Sequence, residues 1–305
     1  MDVADSHLET VLEELNDKVN ALESSGGREE LMEAYANRGF VLSMMDYRTS
    51  ALDDLVSAAD ILDDLESGGA EIDPGLFFKI HCVTASVLSA MGQDPGDEYA
   101  LAASRIGAVN ARSRGFDARS LIRLCVDSAE DLMDSDEPEG IVPYIGKALD
   151  LTQARTDPWS LNMRFHTLRI SAEASEWLED IRTAVDVYGE AVDVGLMLMG
   201  EGRLDDPSAL AMALVSKAQC EGTLGMDDMR LMDLDSAVKV MENLMECGRS
   251  ADPDILVGMH HDLADALMKA GRIDEAEKHL IRAMELGVNG AGDYMRMHTP
   301  SGRSS

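Results

Sequence analysis

The side chains that could do chemistry here are histidines, cysteines and a great many aspartates, and their spacing argues against a reaction centre. His260 and His261 are adjacent, so on a helix they diverge by about 100° and do not share one ion. His7, His81, His166 and His279 stand alone in sequence, with no nucleophile or carboxylate set beside them by spacing. No HExxH, GxGxxG or GxxxxGKS pattern occurs, so no cofactor is expected. Cys82, Cys125, Cys220 and Cys247 are far apart and form neither a CxxC nor a Cys/His ligand pattern. Each lies in an apolar helical pattern, which reads as a buried free thiol. The acidic pairs Asp53-Asp54, Asp63-Asp64, Asp205-Asp206 and Asp227-Asp228 fall in no calcium-binding loop. In a chain this acidic they read as solvated helix surfaces and caps. No residue is therefore assigned a catalytic or metal-binding role. A metal-dependent hydrolase, its metal held by acidic residues, or a paired-carboxylate hydrolase is the distant enzymatic alternative, and carboxylates this common give it no specificity.

The net charge of -32, from 58 acids against 26 Lys and Arg, sets an average field that repels nucleic acids and anionic membranes. Neither is expected as a partner. The acidity fits a strongly hydrated protein, or one adapted to a salty cytoplasm. The chain opens MDVADSHLET, without a basic and apolar leader, and no run approaches about 18 uninterrupted apolar residues. A cytoplasmic location is the expectation. One stretch reverses the charge: RIGAVNARSRGFDARSLIR holds Arg105, Arg112, Arg114, Arg119 and Arg123 against Asp117 alone. Arg164, His166 and Arg169 follow further along. Such a reversal attracts an acidic segment of a partner, or pairs with the protein's own acids.

Forty-five per cent of the residues are hydrophobic but only 4% aromatic, so the core must be built from Leu, Ala, Val, Ile and the 20 Met. The apolar residues recur with helical period. Leu8, Val11, Leu12, Leu15, Val19 and Leu22 share one face of 7–23, and Ser24 to Gly27 stop that helix. Further helices are expected near 29–44, 49–66, 75–91, 98–113, 118–134, 139–154, 160–178, 180–200, 207–224, 231–247, 254–270 and 273–287. Asp73-Pro74, Asp157-Pro158, Asp206-Pro207 and Asp252-Pro253 each mark a start, because Asp caps the free amides and Pro fits the first turn. No strand with period two appears. The Gly- and Ser-rich tail, 289–305, is expected to be disordered.

The last helix pair carries the clearest internal pattern. Ala264 and Leu267 are followed by a Gly271 turn, then Ile273, Ala276, Leu280 and Ala283. Small residues at Ala264 and Ala276 let two helices approach. This arrangement resembles the tetratricopeptide repeat, whose signature has small residues at the eighth and twentieth positions. Taking Ala264 as the eighth position, its counterparts are Ala218, Ala172, Ala129, Ala85 and Gly39, separated by 46, 46, 43, 44 and 46 residues. Ala276, Ala237, Ala184, Ile141 and Ala51 fill the second-helix position. The period exceeds the family's usual length of about 34, which demands longer helices or loops. The HEAT or armadillo type, with a period of about 40–47, is the structural competitor. The turn from Gly271 to Ala276, Gly-Arg-Ile-Asp-Glu-Ala, favours the tetratricopeptide type.

The resemblance implies an all-α fold, an α-solenoid of helix-turn-helix repeats. Residues 1–28 would cap about six helix pairs in 29–288. It also implies a non-enzymatic scaffold that binds a protein or peptide on its concave face. Self-association as a homo-oligomer through terminal repeats is the alternative. In the same register Lys79 and Arg123 take the second positions of repeats two and three, and His166 and Arg169 the second and fifth of repeat four. In this family those positions look into the channel, so the four are the partner-binding candidates, suited to an acidic segment. The competing reading is that they neutralise Asp127, Glu130 and Glu173. The family's clamp for an acidic chain terminus needs Lys and Asn at inward positions. Here Gly258, His261, Asp262 and Asp265 stand there in the last copy, and Ala36, Asn37 and Phe40 in the first.

Overall fold

Aspartates start the helices. The carboxylate of Asp73 accepts from the amides of Gly75 and Leu76, that of Asp157 from Ser160, that of Asp206 from Ser208 and Ala209, and that of Asp252 from Asp254. Each is followed by a proline in the first turn, as the sequence predicts. Asp117 and Asp180 cap two more helices without a proline. Each cap satisfies amides that have no partner within the helix.

A computed structural model of the protein describes residues 3–25, 27–110, 113, 116–135, 138–248 and 252–298. They form α1 Val3–Ser25, α2 Arg28–Met44, α3 Arg48–Ser67, α4 Pro74–Ala90, α5 Gly96–Arg105, α6 Ala118–Asp134 and α7 Val142–Thr152. Then follow α8 Pro158–Trp177, α9 Ile181–Gly200, α10 Pro207–Thr223, α11 Asp227–Glu246, α12 Pro253–Lys269 and α13 Ile273–His298. No strand occurs among the described residues. Among the described residues six helix-turn-helix pairs follow α1, from α2/α3 to α12/α13, and the fold is an all-helical, repeat-like solenoid. The long period lies in the helices: α10 has 17 residues and α11 has 20.

The turns within pairs are tight because one residue is left-handed. Gly271 has φ 76°, its own amide bonds to Met268 O, and the Arg272 amide bonds to Leu267 O at 2.9 Å. The same reversal recurs at Asp46, Gly92, Glu179 and Gly225. Two of these are not glycine, and both retain the paired backbone bonds that end a helix in this way.

The chain divides into two compact units, α1–α7 ending at Arg155 and α8–α13 beginning at Thr156. In the first, α2 and α3 bury Met32, Phe40, Leu55 and Leu62 against Leu76, Phe77 and Ile80 of α4. The close approach predicted at Gly39 is present. A Cβ there would lie 2.8 Å from Leu55 Cγ and 3.2 Å from the Ala51 carbonyl oxygen. In the second unit α9 packs on α10 and α11 on α12. Ala264 and Ala276 are both buried.

Three expectations need correction. The helix expected over 98–113 ends at Arg105, shortly before Gly107, and the Ser113 amide bonds back to the Asn110 carbonyl; Arg112 and Arg114 lie outside the described residues. The helix expected from 139 begins as a short 3-10 turn, Pro138–Ile141, and Pro143 sits in the first turn of α7. Ala237 is not the counterpart of Ala276. It lies nineteen residues after Ala218, as Ala283 does after Ala264, and Arg230 takes the close position instead. Gly222 makes room for it: a Cβ on Gly222 would stand 3.0 Å from Arg230 Cδ. The expected tail, 289–305, begins within the backbone span of α13, and 299–305 lie outside the described residues.

Candidate functional site

The four partner-binding candidates divide between the units. Lys79 on α4 places its ammonium 3.9 Å from the centre of the Phe40 ring on α2, and burial lowers its pKa. Its charge is thus spent on an aromatic face inside the first unit. Arg123 on α6 is exposed. In the second unit His166 and Arg169 are half-buried on α8, and Arg169 Nη1 donates to Glu173 Oε1 at 3.1 Å, one helical turn on. The neutralising partner named from sequence is therefore present for Arg169. The structure groups Lys79 with Arg123 in one unit and His166 with Arg169 in the other. Of the basic stretch, Arg105 is held by Glu66 and lies over the Phe77 ring, 3.8 Å from its centre.

Two histidines that look solitary in sequence meet across the last pair. His260 Nδ1 on α12 is 3.0 Å from His279 Nδ1 on α13, with the rings 5.3 Å apart between centres. Their separation of nineteen positions is the distance across the pair's turn, a signal the repeat register contains. At 3.0 Å one nitrogen donates and the other accepts, so the pair is stable with at most one proton between them. Glu242 Oε1 on α11 lies 3.5 Å from His260 Nε2 and accepts from Arg282 at 3.2 Å. Burial lowers the pKa of His260; Glu242 opposes this, and His279 and Arg282 add to it. His81 has a partner too, with Nδ1 2.6 Å from Glu98 Oε2, and its Nε2 is buried without a hydrogen bond among the described residues. Neither cluster holds a nucleophile.

A buried ionic cluster also joins α10 to α11. Lys217 Nζ lies 2.6 Å from Asp233 Oδ2 and 3.0 Å from Glu221 Oε1. Glu221 is fully buried, and burial raises its pKa. Burial pushes Lys217 down, but its bonds to Asp233 and Glu221 outweigh this and leave it raised. The cluster is an internal charge balance.

Cys82, Cys125 and Cys220 are buried as expected, and Cys247 is exposed. Burial pushes the Cys82 thiol up to about 12 and that of Cys220 to about 11, so neither forms the reactive thiolate near neutral pH. Among the described residues no group of three or more His, Cys, Asp or Glu is placed to hold a metal ion, and no helix is long and apolar enough to cross a membrane.

No protein-family sequence model matches the chain, and no curated protein matches it in sequence. Solved structures do. The C-terminal part of a TPR repeat-containing protein from Cytophaga hutchinsonii is similar with a TM-score of 0.54 at 11% identity, over 92% of this chain and 98% of that one. The apo form of RapI gives 0.56 at 10% identity, over 92% and 76%. TPR-like repeats of a putative kinesin light chain from Podosopora anserina give 0.50 at 14% identity, over 72% and 98%. At such identities the likeness is one of fold, and the fold is of the tetratricopeptide-like kind.

Proposed function

We propose that this chain is a non-enzymatic scaffold of the tetratricopeptide type, acting in the cytoplasm and holding a protein or peptide segment against the first helices of its pairs. One observation carries the reading. In the second unit, Met212 and Gln219 on α10 and His261 and Asp265 on α12 are exposed at the same register positions that His166, Arg169 and Glu173 occupy on α8. Stacked helix pairs offer such a row to a partner without a reaction centre. Within the set Lys79, Arg123, His166 and Arg169, the exposed Arg123 and the half-buried α8 pair are the stronger candidates for an acidic segment. Lys79 is the weakest, because Phe40 already takes its charge.

Affinity capture from the native lysate, read by mass spectrometry, tests this. The doubly reversed variant Arg123→Glu/Arg169→Glu should fold normally, lose its partner and show weaker salt dependence of capture. Unchanged partners at unchanged affinity would remove these residues from the binding surface. A second reading, self-association through the terminal pair, draws on Ile281 and Met284 of α13, which are 51% and 69% exposed. A monomer by light scattering at high concentration would end it.

A further inference from the structure

The second unit carries an open groove of about 550 Å³. Leu263 and Leu267 of α12, only 2% and 3% exposed, form its floor, so the accessible apolar surface is mainly that of Met232. One wall is the face of α11 from Asp228 to Asp235, two helical turns and about 10 Å long. The other is the start of α13. Met232 stands at the edge, 69% exposed, a flexible thioether able to close over an apolar side chain.

The charge around this apolar floor has one sign in excess. Asp228 and Asp235 stand on α11 and Glu275 on α13. Against them are Arg272, whose guanidinium is already taken by Glu275 through two bonds of 2.8 and 2.7 Å, and His279, whose Nδ1 is engaged by His260 at 3.0 Å. Lys239 engages Asp235 from its solvent side. Asp227 and Asp274 add further acids in the first turns of the same two helices. An acidic segment would be repelled here. A neutral apolar one would desolvate carboxylates without replacing their water.

We infer that this groove binds a cationic, amphipathic helical segment of another protein, its apolar side chains on Leu263, Leu267 and Met232 and its Lys or Arg residues on Asp228 and Asp235. A helix suits the site because residues three and four apart share one face and match a floor of this length. The inference does not depend on the α8 side chains.

The test is fluorescence anisotropy with the full chain and a labelled Leu/Lys peptide of helical period, about 14 residues long. Two control peptides replace every Leu by Ser or every Lys by Glu. The Leu/Lys peptide should bind and both controls should fail. Met232→Ser and Asp228→Asn/Asp235→Asn should each weaken binding about ten-fold. Asp53→Asn/Asp60→Asn, on exposed positions of α3, should not, and Arg123→Glu/Arg169→Glu should bind the probe as the wild type does. Equal binding of the Ser peptide, or unchanged affinity in both groove variants, would reduce the effect to bulk attraction and overturn the inference. A dimer of the free chain that Met232→Ser dissociates would assign the groove to a second copy and overturn it too.

Discussion

The ammonium of Lys217 on α10 lies 2.6 Å from the carboxylate of Asp233 on α11, and the same relationship holds four repeats earlier in register between Arg38 and Asp54. Arg38 donates to both Asp54 oxygens at 2.6 and 2.7 Å. In each case the cation precedes the small residue at the eighth position, Ala218 or Gly39, and the acid follows sixteen residues later. The pairing is thus a property of the helix pair rather than of either helix.

Removing Lys217 alone leaves the buried carboxylate of Glu221 and the half-buried one of Asp233 without that counter-ion. Lys217→Met should cost about 3–5 kcal/mol in denaturant unfolding, because an uncompensated buried charge is worse than an absent pair. The triple variant Lys217→Met/Glu221→Leu/Asp233→Leu should recover most of that loss. A single variant as stable as wild type would show that water reaches the cluster on its own.

Two glycines in helices should respond to alanine with opposite signs. Helix propensity alone favours Ala over Gly by about 1 kcal/mol. At Gly146, on α7, a Cβ meets nothing within 4 Å, so Gly146→Ala should raise stability by up to that amount. At Gly39 the Cβ would sit 2.8 Å from Leu55 Cγ, and overpacking of about 1–3 kcal/mol should win. Thermal melts of the two variants decide it; a stabilised Gly39→Ala would mean that α2 and α3 can move apart freely.

The position of Gly39 shows what a single sequence reveals of such a fold. Small residues at a fixed interval, and Asp-Pro steps before apolar runs, are local signals, and both located the helices and pairs. Contacts across a pair are less visible, since they join residues sixteen or nineteen apart that have no pattern of their own. His260 and His279 therefore read as solitary, and Ala237 stands seven residues beyond the close position, which Arg230 fills where a small residue is expected. The partner-binding set follows from repeat register and charge together. Charge does not tell that Lys79 turns to Phe40 or that Glu173 takes Arg169.

Glu179 offers a direct test of the turn geometry. It adopts φ 60° at the end of α8, where the equivalent residues after α10 and α12 are Gly225 and Gly271. A side chain in that region crowds the backbone, at a cost of about 1 kcal/mol or more that glycine avoids. Glu179→Gly should stabilise the chain by about 1 kcal/mol, and Gly271→Ala should destabilise it by a similar amount. No change in the melting temperature of Glu179→Gly would mean that the turn is free to relax.

The histidine pair gives the protein a defined response to acid. Burial holds the pKa of His260 below its ordinary value of about 6.5, with His279 and Arg282 of α13 adding to the effect and Glu242 of α11 opposing it. Between the lowered folded value and the unfolded one, the unfolded chain binds the proton and the folded chain does not. Stability therefore falls as pH drops through the ordinary histidine range, and this contribution stops falling below the folded value. The slope from one such group is at most about 1.4 kcal/mol per pH unit. His260→Leu removes the group while keeping an apolar side chain in the buried position. Between pH 7 and pH 5 the wild type should lose stability relative to His260→Leu, whose own profile then reports the remaining histidines and the carboxylates. Parallel profiles for the two proteins would show that His260 takes up its proton in the folded state as readily as in the unfolded one, and that the 3.0 Å contact with His279 opens without cost.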